Sequence, residues 1–152
     1  MFSRALQSST RRAVLRPARV APGMVLRRLL SDDIRQKLDT AVHAHPLVLF
    51  MKGEPAAPQC GFSRAVVQIL DIHGVPESKM QTYDVLQDQQ LRESIKEFSQ
   101  WPTIPQLYVN GEFVGGCDIV LEMHQNGKLE ELLEKNNIIE PVAAEAAAPS
   151  SA

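Results

Sequence analysis

The chain has 152 residues, 44% of them hydrophobic and 22% charged, and a formal net charge of −2 at neutral pH. This composition is ordinary for a globular protein, and the length allows one compact domain with tails. No apolar run approaches the roughly 20 residues that a membrane-spanning helix requires, so the sequence predicts no membrane partner.

The first 31 residues differ in charge from the rest of the chain. They contain seven arginines and no acidic residue, whereas the remainder holds nine basic and 18 acidic side chains, a net charge near −9. An Arg-rich, Ser-containing, acid-free leader is typical of a mitochondrial transit peptide. A basic arm that binds nucleic acid is the alternative. We favour targeting, because the segment has no lysine and no aromatic residue beyond Phe2. We therefore predict a transit peptide at residues 1–31, cleaved between about Arg27 and Asp32, a mitochondrial matrix location and no nucleic-acid partner.

The first half of the remaining chain has the hydrophobic pattern of a helix, a strand and a second helix. Ser31 and Asp32 resemble a helix start, and Pro46 follows the end of that helix. The predicted segments are a helix from Ser31 to about His43, a strand at residues 47–51, a Pro-rich loop at residues 52–59, and a helix from about Cys60 to His73 capped by Gly74.

The second half contains the strongest hairpin signal in the sequence, Asn110-Gly111 between two short apolar strands. Asp118 resembles the N-cap of a later helix. The predicted segments are a strand at residues 81–85, a helix at 89–98, a Pro-stiffened stretch at 101–105, strands at 106–109 and 112–114, helices over about 119–125 and 128–136, and a disordered tail at 139–152.

The order of these elements predicts an α/β domain over residues 32–138. A strand–helix–strand unit forms a parallel pair with a right-handed crossover, and the hairpin adds antiparallel strands. The expected result is a mixed sheet of about four strands with helices on both faces. Ligands in open α/β sheets usually bind at the carboxyl ends of strands, which here is the loop after the first strand.

Cys60 is the candidate nucleophile or metal ligand. At the start of a helix, unpaired backbone N–H groups and the helix dipole favour its thiolate. A redox dithiol would place a second cysteine three positions later, where this chain has Ser63. The alternative is a buried structural cysteine. The other cysteine is Cys117, and a disulfide framework is not expected in a reducing compartment.

Several motifs, in this order and spacing, resemble the thioredoxin superfamily and more closely the monothiol glutaredoxins. The resemblance covers residues 32–138 and implies a thioredoxin-like fold. The matching segments are Lys52-Gly53 with Pro55 and Pro58, Cys60-Gly61-Phe62-Ser63, Trp101-Pro102-Thr103-Ile104-Pro105, and Gly115-Gly116-Cys117-Asp118.

The resemblance also implies a glutathione site. In the family, the position of Arg92 contacts the glycine carboxylate of glutathione, and Ile104-Pro105 resembles the cis-proline loop, which Thr103 flanks. Lys96 lies four residues after Arg92, and a solvated face is the alternative for both. The residues expected to bind glutathione and the cluster are Lys52, Cys60, Phe62, Arg92, Thr103, Ile104, Cys117 and Asp118, with Cys60 as the catalytic residue and metal ligand.

Individual roles follow from position. Lys52 ends the first strand, so its ammonium can reach the thiolate or a ligand carboxylate, and Phe62 is expected to cover the thiol. Backbone N–H groups at Cys117 and Asp118 suit the γ-glutamyl carboxylate. For Cys117 we favour packing with a backbone contact over ligation. Trp101, Phe113 and Val114 are expected to lie in the core. The four histidines are expected to be scattered and to form no metal site; they are His43, His45, His73 and His124.

The resemblance implies that a [2Fe–2S] cluster is shared by two subunits and passed from a scaffold to apo-proteins. Such clusters usually take four thiolates, and two subunits with two glutathiones supply them. The expected partners are glutathione, a second copy of the chain, scaffold, chaperone and recipient proteins, and a BolA-like protein in place of one subunit. The alternatives are a glutathione-dependent thiol oxidoreductase that removes glutathione from proteins, and a redox-inactive binding module.

Overall fold

The computed structural model describes residues 22–141, with side chains from residue 32 onward. Most of the predicted transit peptide and of the predicted tail therefore lies outside the described residues. The helices are α1 Pro22–His43, α2 Gly61–Ile72, α3 Gln89–Ser99, α4 Cys117–Gln125 and α5 Lys128–Lys135, with a 3₁₀ turn at Glu77–Lys79; the strands are β1 Leu47–Met51, β2 Gly53–Glu54, β3 Ala57–Pro58, β4 Met80–Asp84, β5 Gln106–Val109 and β6 Glu112–Gly115.

Four strands form one mixed sheet in the order β4-β1-β5-β6, which confirms the predicted fold class. Strand β1 runs parallel to β4 and antiparallel to β5, and β5 and β6 form the predicted hairpin. All five residues of β1 are buried. A continuous apolar strand of this kind is expected at the centre of a sheet that is covered on both faces.

Each face of the sheet carries its own hydrophobic core, because successive strand residues point to opposite sides. Leu47, Leu49 and Met51 of β1 pack with α2, α4 and α5. Val48 and Phe50 of β1 pack on the other face with α1 and α3. The helices therefore cover both faces, as the sequence predicts.

Two glycines occupy backbone conformations that confirm the predicted turns. Asn110 and Gly111 both have positive φ, at 48° and 82°, which a two-residue type I′ hairpin requires. Gly74 has a φ of 70° directly after the C-cap of α2. The Gly74 N–H donates to the Asp71 carbonyl at 2.9 Å and the Val75 N–H to the Leu70 carbonyl at 3.1 Å. This is the Schellman termination that a glycine at this position permits.

The structure corrects two predictions about segment boundaries. Helix α1 begins at Pro22 rather than near Ser31, because proline is well suited to a first helical position and the Leu, Met and Arg residues that follow favour helix. The Pro-rich loop contains a short antiparallel pair, β2 with β3. The boundary between leader and domain at residue 31 remains a prediction. Within residues 22–141, no helix is both long enough and apolar enough to span a bilayer.

Candidate functional site

An open groove of about 280 Å³ lies beside the carboxyl end of β1, where the sequence predicts the ligand site. The residue that follows β1, one face of α3 and the starts of α2 and α4 contribute to it, together with the loop before β5. Its walls are formed by Lys52, Phe62, Arg92, Lys96, Trp101, Pro102, Thr103, Ile104, Pro105, Gly116, Cys117 and Asp118. Seven of the eight residues expected to bind glutathione or the cluster are therefore together.

Cys60, the eighth, lies next to the groove as the N-cap of α2, with an extended backbone. Burial opposes ionisation of its thiol, but the backbone N–H groups of Ser63 and Phe62 and the Lys52 ammonium outweigh that effect and lower the pKa of Cys60. The causes agree with the expected combination of a helix N-terminus and a nearby cation. The arrangement favours the thiolate form of Cys60.

Ser63 occupies the position of the missing second thiol and has a structural contact there. Its side chain is fully buried, and its hydroxyl oxygen accepts the backbone N–H of Lys52 at 3.1 Å. Because Lys52 belongs to the segment that leaves β1, this bond ties that segment to the first turn of α2. The sequence shows that Ser63 stands where a dithiol would have its second cysteine, but it does not reveal this contact.

Asp84, at the end of β4, holds the next residue of the same segment. Its Oδ1 accepts the backbone N–H groups of Gly53 and Leu86, each at 2.9 Å. Burial opposes ionisation, but these bonds and one from Gln87 lower the pKa of Asp84. Asp84 pairs with Met51 in the parallel register. The sequence signal for its contact with Gly53 is therefore an acidic residue at the end of the strand that is predicted to pair with β1.

The groove is predominantly cationic. Lys52, Arg92 and Lys96 line it, and Asp118 is the one acid among the lining residues. Two polar donors at the groove wall, Arg92 Nε and Trp101 Nε1, are buried and have no hydrogen-bond partner within the described structure. Buried unpaired donors are rare in folded proteins, and an acceptor on a bound molecule would satisfy them.

The loop before β5 is held in a defined shape. The Ile104–Pro105 peptide bond is cis, as the resemblance implies. The buried Gln106 donates through Nε2 to the carbonyls of Trp101 and Thr103, at 3.0 and 3.2 Å. Gln106 therefore anchors the loop at two points, Trp101 and Thr103, beside the groove. The sequence predicts a strand at Gln106 and gives no signal of this role.

The start of α4 corrects the prediction for Asp118. Gly116, not Asp118, is the N-cap, and Cys117 is the first helical residue. A Cβ on Gly116 would lie 2.9 Å from Trp101 Nε1, so a residue with a capping side chain has no room there. Asp118 instead lies in the first turn, where a carboxylate interacts favourably with the helix dipole.

Cys117 differs electrostatically from Cys60. It lies partly buried in the groove wall. Burial, the Asp118 carboxylate and the neighbouring Cys60 all raise the pKa of its thiol. The pKa values of the two thiols are therefore shifted in opposite directions, and Cys60 is the more acidic of the two.

Two further predictions are wrong in detail, and one stays a prediction. Phe62 is 63% exposed and lines the groove, and the expectation that its ring covers the thiol stays a prediction. Trp101 packs on Phe113 at a centroid distance of 5.6 Å but also lines the groove, so it is not purely core. The histidines are not all scattered, because His73 and His124 are in direct contact.

The sheet topology, the helix-capping thiol and the facing cis-proline loop together define a thioredoxin-like thiol protein. A family model described as Glutaredoxin matches residues 47–114. The mitochondrial monothiol glutaredoxin-5 of Lachancea kluyveri is 53% identical over 132 residues, which cover 86% of this chain and 92% of that relative. The chain belongs to the glutaredoxin family, in its monothiol class.

Solved structures agree with this assignment. Reduced poplar apo GrxS14 matches with a TM-score of 0.59 and 47% identity, over 68% of this chain and 93% of that one. A buckwheat glutaredoxin–glutathione complex matches with a TM-score of 0.62 and 28% identity, over 72% and 94% of the two chains. The mitochondrial designation of the relatives, including the one from Saccharomyces cerevisiae, confirms the predicted localisation.

Proposed function

We propose that this glutaredoxin carries a [2Fe–2S] cluster, ligated by glutathione and shared between two copies of the chain, and delivers it from a scaffold to recipient apo-proteins in mitochondria. The observation that carries the proposal is a single thiol of lowered pKa, Cys60, at the edge of a cationic groove. The position of a second thiol is filled by the buried Ser63. The site therefore offers one reactive thiol and one groove that suits an anionic ligand.

The thiolate count supports a shared cluster. A [2Fe–2S] cluster usually takes four thiolate ligands. One chain offers one accessible cysteine of lowered pKa, so two chains provide two ligands and two glutathione thiols complete the set. Few protein ligands also favour release, which is what a carrier requires. A chaperone would assist delivery, and a BolA-like partner could replace one of the two chains.

The groove suits glutathione, a tripeptide with a carboxylate at each end and an ammonium group. Lys52, Arg92 and Lys96 supply cationic groups, and charge-assisted hydrogen bonds to carboxylates are the stronger ones. The buried donors at Arg92 and Trp101 lack partners in the protein. The groove of about 280 Å³ is near the lower end of the range for small-molecule sites, about 300–1,000 Å³. The buckwheat relative supports the same ligand, since its structure is a glutathione complex.

A cluster held by Cys60 and Cys117 from both chains would also have four thiolates and would need no glutathione. The raised pKa of Cys117 disfavours this arrangement, because the thiolate is the form that binds metal. We therefore assign Cys60 as the protein ligand and place Cys117 in the wall of the glutathione groove.

The second candidate function is glutathione-dependent oxidoreduction, and the lowered pKa of Cys60 favours it. The Cys60 thiolate would attack the glutathione sulfur of a protein–glutathione mixed disulfide and release the protein thiolate. A second glutathione thiolate would then attack the Cys60–glutathione disulfide, regenerate Cys60 and leave as oxidised glutathione. Reduction of protein disulfides should be poor, because Ser63 cannot resolve a mixed disulfide.

Anaerobic reconstitution with iron, sulfide and glutathione tests the carrier directly. We expect a brown dimer with a visible charge-transfer spectrum, and its assembly should depend on glutathione. Cys60→Ser should abolish the spectrum, whereas Cys117→Ser should retain most of it. A colourless protein that deglutathionylates a model substrate would support the oxidoreductase instead.

The same variants separate the two ligand sets. Full assembly of the unmodified chain without glutathione, combined with failure of Cys117→Ser, would contradict the glutathione-ligated cluster. Size-exclusion chromatography of each sample supplies the control, because the proposal requires a dimer only when the cluster is present.

A further inference from the structure

Hydrogen bonds on both sides of Lys52 fix its backbone. Its N–H donates to the hydroxyl oxygen of Ser63 at 3.1 Å, and its carbonyl oxygen accepts the N–H of Gln59 at 2.9 Å. These two bonds join Lys52 to helix α2 and to the loop that precedes that helix. The following peptide N–H, that of Gly53, donates instead to Oδ1 of Asp84 at the end of β4, at 2.9 Å.

The Asp84 carboxylate is itself held in place. Its Oδ1 also accepts the N–H of Leu86 at 2.9 Å, and its Oδ2 accepts a hydrogen bond from Nε2 of Gln87 at 3.3 Å. Burial opposes ionisation, but the bonds from Gly53, Leu86 and Gln87 lower the pKa of Asp84 and favour the carboxylate. Hydrogen bonds to an ionised acceptor are stronger than those to a neutral one. Asp84 is therefore a fixed and strong acceptor for the Gly53 N–H.

The turn at Gly53 requires a residue without a side chain. Gly53 has a φ of 89°, and a Cβ at this position would lie 2.6 Å from the carbonyl oxygen of Ala57 and 2.8 Å from the backbone nitrogen of Gln59. Glycine has wider conformational freedom than other residues, so the turn itself does little to fix the orientation of its own peptide units. The bond from Asp84 comes from outside the turn and favours one orientation, which the adjoining Lys52 backbone shares.

We propose that Asp84 is a positioning residue for Lys52: it holds the Lys52–Gly53 turn and thereby directs the Lys52 ammonium to the Cys60 thiol and the groove. Lys52 lines the groove, whereas Asp84 lies outside its lining, so Asp84 acts through Lys52. A lysine side chain is flexible along its four-carbon stem, and a fixed backbone limits the positions that its ammonium reaches. The part of this proposal that concerns glutathione rests on the function proposed above.

Removal of Asp84 has opposite expected effects through charge and through position. Because Asp84 is an anion, the loss of its charge alone would favour the Cys60 thiolate and an anionic ligand in the groove. That effect would lower the pKa of Cys60 and tighten glutathione binding. Displacement of the Lys52 ammonium would instead raise the pKa of Cys60 and weaken glutathione binding, because the cation would lie farther from both. The direction of the change therefore distinguishes positioning from charge.

Asp84→Ala tests the proposal in a Cys117→Ser background, where Cys60 is the only cysteine of the chain. We expect the thiolate absorbance to titrate with a higher midpoint than in the parent. Calorimetric titration should show weaker glutathione binding, by up to about tenfold, which is the effect expected for loss of the Lys52 contact itself. Addition of Asp84→Ala to Lys52→Ala should change neither quantity further, because the effects of residues that act through one another do not add.

Two conservative variants separate position from charge even if Asp84→Ala disturbs folding. Asp84→Asn keeps an acceptor oxygen in place without the charge, and it should retain most of the glutathione affinity and the thiol midpoint of the parent. Asp84→Glu keeps the charge but moves the acceptor by about 1.5 Å, the length of one carbon–carbon bond, and it should behave like Asp84→Ala. The matched control is Asp88→Ala, which also removes a carboxylate that accepts a backbone N–H, that of Leu91 at 3.1 Å. It should leave the thiol midpoint unchanged.

Any of four results would overturn the proposal: a lowered or unchanged thiol midpoint in Asp84→Ala, an effect of Asp84→Asn as large as that of Asp84→Glu, a further rise of the midpoint when Asp84→Ala is added to Lys52→Ala, or an equal rise in Asp88→Ala. In each case Asp84 would only stabilise the end of β4. The thiol titration requires neither glutathione nor a cluster. It therefore tests the role of Asp84 separately from the carrier function, which a parent protein unable to bind glutathione would contradict.

Discussion

The reactivity of Cys60 depends on groups that lie within the first turn of α2 and at the end of β1. The N–H groups of Ser63 and Phe62 and the ammonium of Lys52 lower the pKa of the thiol against the effect of burial. The two backbone donors are fixed by the helix, whereas the Lys52 contribution can be removed by substitution. The contribution of the Lys52 charge to the lowered pKa of Cys60 can therefore be measured separately from that of the helix N–H groups.

Lys52→Ala should raise the pKa of Cys60 and weaken glutathione binding together. In the unmodified chain, thiolate absorbance should titrate with a midpoint below the ordinary value of about 8.5, and in the variant the midpoint should move towards it. Loss of one charge-assisted hydrogen bond, worth about 1.5–3 kcal/mol, should weaken glutathione roughly tenfold or more. Lys128→Ala, on an exposed residue of α5, is the control. Equal titration midpoints for Lys52→Ala and the unmodified chain would show that Lys52 does not lower the pKa of Cys60.

Ser63→Ala should destabilise the fold, because it leaves the backbone N–H of Lys52 without its acceptor at a buried position. An unsatisfied buried donor costs about 1–3 kcal/mol. Denaturant unfolding of the apo-protein measures the effect, with Ser78→Ala in the exposed 3₁₀ turn as the matched control. If both variants unfold at the same denaturant concentration, Ser63 does not support the Lys52 segment.

At the scale of elements, the approach of α4 to the loop before β5 sets the shape of the groove. Gly116 caps α4 and lies against the Trp101 side chain. Gln106 holds the same loop from within β5. The shape of this wall of the groove therefore depends on the close approach of Gly116 to the loop.

Gly116→Ala should distort the groove, because its Cβ would lie 2.9 Å from Trp101 Nε1 and the indole would have to move. We expect weaker glutathione binding with the fold retained. Gly61→Ala is the matched control: its Cβ would meet nothing within 4 Å, and such a replacement commonly stabilises by about 0.4–1 kcal/mol. Calorimetric titration with glutathione and thermal unfolding of both variants supply the readouts. Wild-type affinity in Gly116→Ala would show that the Trp101 position is unimportant for the ligand.

At the scale of the whole molecule, the central sheet separates two cores with different neighbours. The core beneath α2, α4 and α5 supports the helices that carry Cys60 and Cys117. The core on the other face includes Leu38 and Val42 of α1, at 5% and 1% exposure. Leu38 and Val42 both lie beyond the predicted cleavage region.

Removal of the leader should leave the stability of the domain unchanged. A chain that begins at Asp32 keeps Leu38 and Val42, so its free energy of unfolding should match that of the full chain within about 0.5 kcal/mol. A chain that begins at Pro46 loses both side chains from the core and should be several kcal/mol less stable, since each buried aliphatic side chain contributes about 1.5–3 kcal/mol. N-terminal sequencing of the mitochondrial protein tests the cleavage itself, and an intact Met1 would contradict it.

The sequence alone determined the elements whose signals are local. The apolar run of β1, the Asn110-Gly111 turn and the Gly74 cap each depend on a few neighbouring residues, and the structure confirms all three. Two local signals led to wrong predictions. The start of α1 depends on the helix-forming residues that precede Ser31, and the N-cap of α4 depends on the space around Gly116.

Only the tertiary structure decided which distant groups meet. The contacts of Ser63 with the Lys52 backbone, of Asp84 with Gly53, and of His73 with His124 join residues 11, 31 and 51 positions apart. No local pattern encodes such pairs, because they arise from sheet register and from helix packing across a shared core. Seven of the twelve residues that line the groove were among the predicted binding residues, but the fold itself supplies the hydrogen bonds that hold the groove in shape.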